Sequence, residues 1–148
     1  MNVASMTFDG RARVLIADAD PGVRQGLSNR LLHAEVLTDT VPDGKAALEK
    51  LVEGPYAVVV LDLALPTAGA QRIVDMIGLM SRETRPVVLV VAPSGAARSL
   101  DVDVVQIVLR KPCDLAQLSA IVQSCVRSSA ASTRETVAAA SGDEQPAA

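Results

Sequence analysis

Three charged side chains follow apolar runs at widely separated places in this chain of 148 residues. Asp18 follows the run R-V-L-I-A, Asp62 closes the run V-V-V-L-D, and Lys111 comes shortly after V-V-Q-I-V-L. Two carboxylates and an ammonium group that met in the fold would suit a hard divalent cation and an anionic phosphoryl group. The carboxylate oxygens would ligate Mg²⁺ while the lysine neutralised phosphate charge. The metal would also make a carboxylate a usable nucleophile toward phosphorus.

The apolar runs alternate with stretches of helical periodicity, and this order decides where the three charged side chains lie. Strands are predicted over residues 13–17, 35–40, 56–62, 86–91 and 104–109. Helices are predicted over residues 21–33, 45–53 and 70–80, over a shortened stretch at 96–100, and from Asp114 onward. This alternation predicts an α/β fold with a doubly wound, five-stranded parallel sheet and helices on both faces. Because ligands bind at the carboxyl edge of such sheets, Asp18, Asp62 and Lys111 are expected to meet there.

The two ends of the chain differ in composition from the part between them. Residues 1–11 are predicted to be a flexible leader and residues 12–128 a single domain. Residues 129–148 consist mainly of Ala, Ser, Thr, Glu and Pro, with too little bulky apolar surface to offset the entropy of ordering. A disordered tail or linker is therefore expected there.

Composition also excludes several classes of partner. The chain has one Phe, one Tyr and no Trp, and its formal net charge is −3, which argues against binding of nucleic acid or anionic membranes. Cys113 and Cys125 have neither the spacing of a zinc site nor that of a disulfide framework. No signal peptide or membrane-spanning run is found, so a cytoplasmic location is expected.

Four motifs, taken in order, resemble the receiver domains of bacterial two-component response regulators over residues 11–127. They are V-L-I-A-D-A-D-P-G-V-R, V-V-V-L-D-L-A-L-P, P-V-V-L-V-V-A and L-R-K-P-C. The resemblance implies a flavodoxin-like (βα)5 fold, with Asp62 as phosphoacceptor, Lys111 as the lysine that neutralises phosphate, and a cis bond before Pro112. It implies Mg²⁺ as cofactor, ligated by Asp18, Asp62 and the backbone carbonyl of Ala64, with Asp20 as a further candidate ligand.

The sequence departs from the family pattern at three positions. Ala19 stands where the family has a second acidic metal ligand, and Asp20 is favoured as a helix cap rather than as its substitute. Val91 replaces the switch Thr or Ser, and Val108 replaces the aromatic switch residue. Mg²⁺ binding is therefore expected to be weak, and coupling of the site to the face formed by helix four, strand five and helix five is expected to be poor.

Three functions remain open at this point. The first is a receiver, not an enzyme, that takes a phosphoryl group on Asp62 from a phosphohistidine of a sensor histidine kinase or phosphotransfer protein and signals by protein contact. A homodimer through the face of helix four, strand five and helix five would fit this function. The second is a degenerate pseudo-receiver that binds partners without phosphorylation.

The third is a phosphatase of the haloacid-dehalogenase type, in which Asp18 of D-A-D would be the nucleophile. Against it, Gly22 stands where that motif has threonine or valine, and the nearby acidic candidates, Asp101 and Asp103, precede Lys111 instead of following it.

Overall fold

The computed structural model describes residues 7–8, 11–66, 69–93 and 100–143, with side chains from residue 12 to residue 129 of these ranges. Six strands lie in this part of the chain: β1 (Thr7–Phe8), β2 (Arg11–Ala17), β3 (Leu37–Val41), β4 (Val58–Asp62), β5 (Val87–Ala92) and β6 (Val105–Arg110). Four helices accompany them: α1 (Pro21–His33), α2 (Gly44–Glu53), α3 (Gly69–Gly78) and α4 (Leu115–Asp143). No helix in the described ranges is long and apolar enough to cross a membrane.

Five of the strands form one parallel sheet in the order β3-β2-β4-β5-β6. This order confirms the predicted doubly wound, flavodoxin-like sheet. The chain leaves β2 for β3 on one side and returns to β4 on the other, so the direction of winding reverses between β2 and β4. In open α/β sheets such a reversal leaves a crevice at the carboxyl ends of the two strands. Asp18 and Asp62 lie at these two ends.

The sheet is covered on both faces, and its central strand β4 is apolar up to its last residue, Asp62. All five residues of β4 are buried, as its lack of a polar face predicts. Alternate side chains of each strand point to opposite faces. One core layer joins the sheet to α2 and α3, with buried residues such as Leu15, Leu61, Ile73 and Ile77. The other joins it to α1 and α4, with Ile16, Val60, Leu27 and Val122.

Two local features fix α1, whose first residue follows the acidic loop. Asp20 is its N-cap, and the Asp20 carboxylate accepts a hydrogen bond from the Gly22 backbone N–H at 2.8 Å. The predicted cap is therefore present. At Gly26, a Cβ atom would lie 2.5 Å from the side chain of Leu115, so the missing side chain allows α1 and α4 to pack closely.

The chain ends differ from the sequence prediction in two places. Within the expected leader, Thr7 and Phe8 pair antiparallel with Ala12 and Arg11. Within the expected disordered tail, α4 continues as far as Asp143. The physical reason for the second correction is that extending an existing helix avoids the cost of nucleation, and alanine has the highest helix propensity. Residues 144–148 lie outside the described residues, as does most of the expected shortened helix, because residues 94–99 are not described.

Candidate functional site

Three backbone hydrogen bonds hold the loop starts together at the carboxyl edge of the sheet. The Asp18 N–H donates to the Val41 carbonyl at 3.1 Å, and the Leu63 N–H donates to the Val91 carbonyl at 2.9 Å. The Lys111 N–H donates to the Ala92 carbonyl at 2.9 Å. Each bond continues a strand ladder by one step, so the residues that begin these loops inherit the rigidity of the sheet.

Asp62 and Lys111 meet directly, as the sequence predicts. The Lys111 Nζ donates to Asp62 Oδ1 at 2.9 Å, and the Ala64 N–H donates to the same oxygen at 3.0 Å. The Asp62 residue is only 5% exposed, whereas the Lys111 side chain is 39% exposed. A buried carboxylate is costly unless it is paired and hydrogen-bonded, and these two charge-assisted hydrogen bonds offset that cost. The Lys111–Pro112 peptide bond is cis, as the resemblance implies.

Asp18 is the second buried carboxylate of the site. Its Oδ1 accepts a hydrogen bond from the Asp20 backbone N–H at 2.8 Å. Burial raises the pKa of Asp18 above its ordinary value, and the negative charge of Asp62 raises it further, while the Asp20 N–H and the charge of Lys111 oppose the rise. The two carboxylates therefore repel each other at this edge, and a bound cation would relieve the repulsion.

The loop between Asp18 and α1 is held by Arg24 of α1, which the sequence did not mark as part of the site. The Arg24 Nη1 donates to the carbonyl oxygens of Asp18 and Ala19, at 2.8 and 3.0 Å. The carboxylate of Asp20 is exposed and is bound to the helix N-terminus. Both Arg24 and Asp20 therefore stabilise the structure of this loop.

The donor set for a metal is small. Across the described residues, no group of three or more His, Cys, Asp or Glu side chains is arranged to hold a metal ion. The structure brings Asp18 and Asp62 to one edge, and Ala64 joins them through its N–H, which donates to Asp62. Two carboxylates at one edge of the sheet fit Mg²⁺, which takes one or two protein carboxylates and keeps several waters. The Ala64 carbonyl and the Asp20 carboxylate stay predicted ligands.

The neighbouring strands carry valine at both positions that the resemblance assigns to switch residues. Val91 pairs with Asp62 across the β4–β5 ladder, is 7% exposed, and packs in the core layer shared with α1 and α4. Val108 lies on β6 at the edge of the parallel sheet and is 42% exposed. Neither side chain can form a hydrogen bond with a group attached to Asp62.

Comparison with known proteins assigns the family. Residues 14–123 match the family described as the response regulator receiver domain. The response regulator ArlR of Staphylococcus epidermidis is 27% identical over 117 residues, which are 77% of this chain and 52% of ArlR. The chain thus spans about half the length of the curated relatives it matches.

Solved receiver structures share the fold. The chemotaxis response regulator CheY4 of Vibrio cholerae superposes with a TM-score of 0.69 at 23% identity, covering 78% of this chain and 98% of CheY4. The response regulator TrrA of Thermotoga maritima, in complex with Mg²⁺ and beryllium fluoride, gives a TM-score of 0.65 at 22% identity, covering 76% of this chain and 97% of TrrA. These matches do not favour the phosphatase hypothesis for Asp18. With residues 14–123 matching the family and the predicted fold confirmed, this chain belongs to the response regulator receiver domains of two-component signalling.

Proposed function

We propose that Asp62 accepts a phosphoryl group from a phosphohistidine of a sensor histidine kinase or phosphotransfer protein. The observation that carries this proposal is the buried Asp62 carboxylate with the Lys111 ammonium 2.9 Å from its Oδ1. A lysine in this position neutralises the acceptor before transfer and the phosphoryl oxygens during it. The chain acts as an acceptor that passes the signal on by protein contact, rather than as an enzyme.

The transfer makes one bond and breaks one bond. An Asp62 carboxylate oxygen attacks phosphorus and forms a P–O bond, while the P–N bond to the donor imidazole breaks and leaves its electron pair on nitrogen. Mg²⁺, held by Asp18, Asp62 and the Ala64 carbonyl, would supply further neutralisation of the phosphoryl oxygens when bound. Asp18 would hold the cation without attacking phosphorus, and the Ala64 N–H orients the acceptor carboxylate.

The affinity for Mg²⁺ in this proposal is low. Ala19 contributes no carboxylate, and Asp20 already caps α1 through its Oδ1. A cation that draws on two carboxylates, one backbone carbonyl and water binds less tightly than one with a third carboxylate. We expect phosphorylation to need more Mg²⁺ than it would with an acidic residue at position 19.

The way in which the phosphorylated chain signals is also a proposal. The buried Val91 offers no hydrogen bond to a phosphoryl group, so phosphorylation favours an altered face of the predicted helix four, strand five (β6) and helix five (α4) only weakly. Homodimerisation through this face would accordingly respond little to phosphate. We propose that the chain acts in the cytoplasm on protein partners. Its net charge of −3 argues against nucleic acid or anionic membranes as partners.

The test is an intact-mass measurement after incubation with Mg²⁺ and phosphoramidate. We expect a phosphoryl adduct on the wild-type chain and none on Asp62→Asn, because the amide cannot act as the nucleophile. Ala19→Asp should form the adduct at lower Mg²⁺ concentration. An adduct that persists in Asp62→Asn would contradict the assignment of the acceptor. Absence of an adduct on both wild type and Ala19→Asp would contradict the proposal and favour a pseudo-receiver that binds without phosphate.

A further inference from the structure

A groove lies between α1 and α4, outside the acceptor site. Its volume is about 440 Å³, which is within the range of roughly 300–1,000 Å³ typical of small-molecule sites. Arg30 and His33 of α1 line it together with Ser119, Gln123 and Arg127 of α4. Two alanines of α4 complete the lining, and their small side chains leave the space open.

The charge of the groove is opposite to that of the chain. Its described lining includes two arginines and no carboxylate, although the whole chain has a formal net charge of −3. Neither Arg30 nor Arg127 forms an ion pair or hydrogen bond among the side chains that the structure describes. Among the described side chains, therefore, nothing occupies the N–H donors of the two guanidinium groups.

Helix electrostatics explain only part of this arrangement. Arg30 and His33 lie in the last turn of α1, where cations interact favourably with the helix dipole. Arg127 lies well inside α4, which continues to Asp143, so no helix end accounts for its position. Residues from two different helices thus bring cations to one cavity.

Hydrogen bonds hold the groove side chains of Gln123, Ser119 and His33. The Gln123 Nε2 donates to the hydroxyl of the buried Ser119 at 3.0 Å. The His33 Nδ1 lies 2.7 Å from the Asn29 carbonyl, which can only accept, so Nδ1 carries the proton and the ring is fixed. Less conformational entropy remains to be lost when a ligand binds between fixed side chains.

We propose that this groove binds a small multivalent oxyanion, namely the phosphate chain of a di- or triphosphate. The arginines would bind its oxygens through charge-assisted hydrogen bonds, which guanidinium groups form in bidentate geometry. A compact anion fits better than an acidic peptide, because the cations converge on one cavity instead of following a strip. Neither Asp62 nor Lys111 lines the groove, so this site is separate from the acceptor.

The test is a calorimetric titration of the full chain with inorganic triphosphate at low ionic strength, in EDTA so that no Mg²⁺ bridges the ligand to Asp62. We expect saturable binding of one anion. Arg30→Gln and Arg127→Gln should each weaken it about tenfold, which corresponds to the loss of one hydrogen bond to a charged group. Arg72→Gln is the matched control, because Arg72 is also exposed but lies on α3, on the opposite face of the sheet.

A parallel titration with a nucleoside triphosphate identifies the source of the phosphate chain. Tighter binding than that of inorganic triphosphate would assign the site to nucleotides, and equal binding would assign it to the phosphate chain alone. Either result supports the proposal if Arg30→Gln and Arg127→Gln both weaken the binding. No saturable binding, binding that neither groove variant changes, or equal weakening by Arg72→Gln would overturn it. Intact-mass phosphorylation of Arg30→Gln and Arg127→Gln should equal that of wild type.

Discussion

The acceptor side of the site and the strands beside it differ in the polar groups that they hold. On the acceptor side, defined here as Asp18, Asp62 and Lys111, every side chain is charged, and the two carboxylates accept hydrogen bonds. On the read-out side, defined as Val91 of β5 and Val108 of β6, both side chains are apolar. The two sides are adjacent, since Val91 pairs with Asp62 in the sheet.

The difference shows that receiving a phosphoryl group and responding to it place separate demands on the sequence. Transfer requires a nucleophile and neutralising charge near it, which the acceptor side contains. A response requires a contact that is stronger in one conformation than in the other, because a ligand that does not discriminate between two states shifts neither. We infer that this chain keeps the first property and has little of the second.

Removal of the lysine is the strongest way to break the acceptor side. Lys111→Met should slow formation of the adduct about a hundredfold, the typical effect of deleting one group that stabilises charge in a transition state. The measurement is a time course of intact mass in phosphoramidate and Mg²⁺. Arg110→Met is the matched control, because Arg110 is the adjacent exposed cation. An equal loss in both variants would show that general positive charge, and not the contact with Asp62, is what matters.

An added carboxylate should sharpen the acceptor side. Ala19→Asp is expected to tighten Mg²⁺ binding at least about tenfold, since the effect of gaining a direct ligand should match or exceed that of changing an outer-shell group. Calorimetric titration with Mg²⁺ measures the change, and Ala19→Asn, which has the same size without the charge, is the control. Affinity that stays unchanged in Ala19→Asp would mean that Asp18 and Asp62 already bind the cation with another ligand in place of position 19.

A hydroxyl on the read-out side should couple the two sides. Val91→Thr buries a polar group and should cost about 1–3 kcal/mol of unfolding free energy without ligand, measured by urea unfolding. Beryllium fluoride with Mg²⁺ should then recover part of this loss, because its fluorines can accept from the new hydroxyl. Val90→Thr is the control, since Val90 is also buried but belongs to the core layer of α2 and α3. Recovery of equal size in both variants would argue against a specific contact.

The smallest expected effect is on the pH dependence of the free energy of unfolding, to which the buried Asp18 of the acceptor side contributes. Burial raises the pKa of Asp18 above 3.8, so the folded carboxyl binds its proton more tightly than the unfolded one does. Stability in EDTA should therefore fall as the pH rises from about 3.8 through the raised pKa. Asp18→Asn should remove this fall in urea unfolding between pH 4 and pH 7. Asp20→Asn, which keeps a capping residue at an exposed position, should not; identical slopes in both variants would refute the attribution to Asp18.

The sequence predicted well those features that depend on patterns of several residues. The apolar run of β4 indicated a strand buried on both faces, and all its residues are buried. Asp20 followed by Pro21 indicated a helix start, and both the cap and the helix are present. The contact between Asp62 and Lys111 followed from the order of the strands, since the carboxyl ends of parallel strands meet at one edge.

Features that depend on single contacts were not predicted. The strand β1, which pairs antiparallel with the start of β2, contains only Thr7 and Phe8. Two residues are too few to leave a periodic signal in the sequence. The hydrogen bonds of Arg24 depend on how its long side chain folds back over the loop. Helical periodicity indicates only the face of α1 on which a residue lies. A register shift at Val88 and Leu89 lets the Gln106 side chain accept from the Val88 N–H at 2.8 Å, and no sequence motif marks it.

The most direct test of the contrast between the two sides is a two-dimensional amide NMR titration of the wild-type chain with Mg²⁺ and beryllium fluoride. The account predicts shifted amide signals at Asp18, Asp62, Ala64 and Lys111, with little change along β6 around Val108. Shifts of similar size along β6 would contradict the proposed weakness of the read-out side. Absence of shifts at Asp62 and Lys111 at saturating Mg²⁺ would contradict the proposal that Asp62 is the phosphoacceptor.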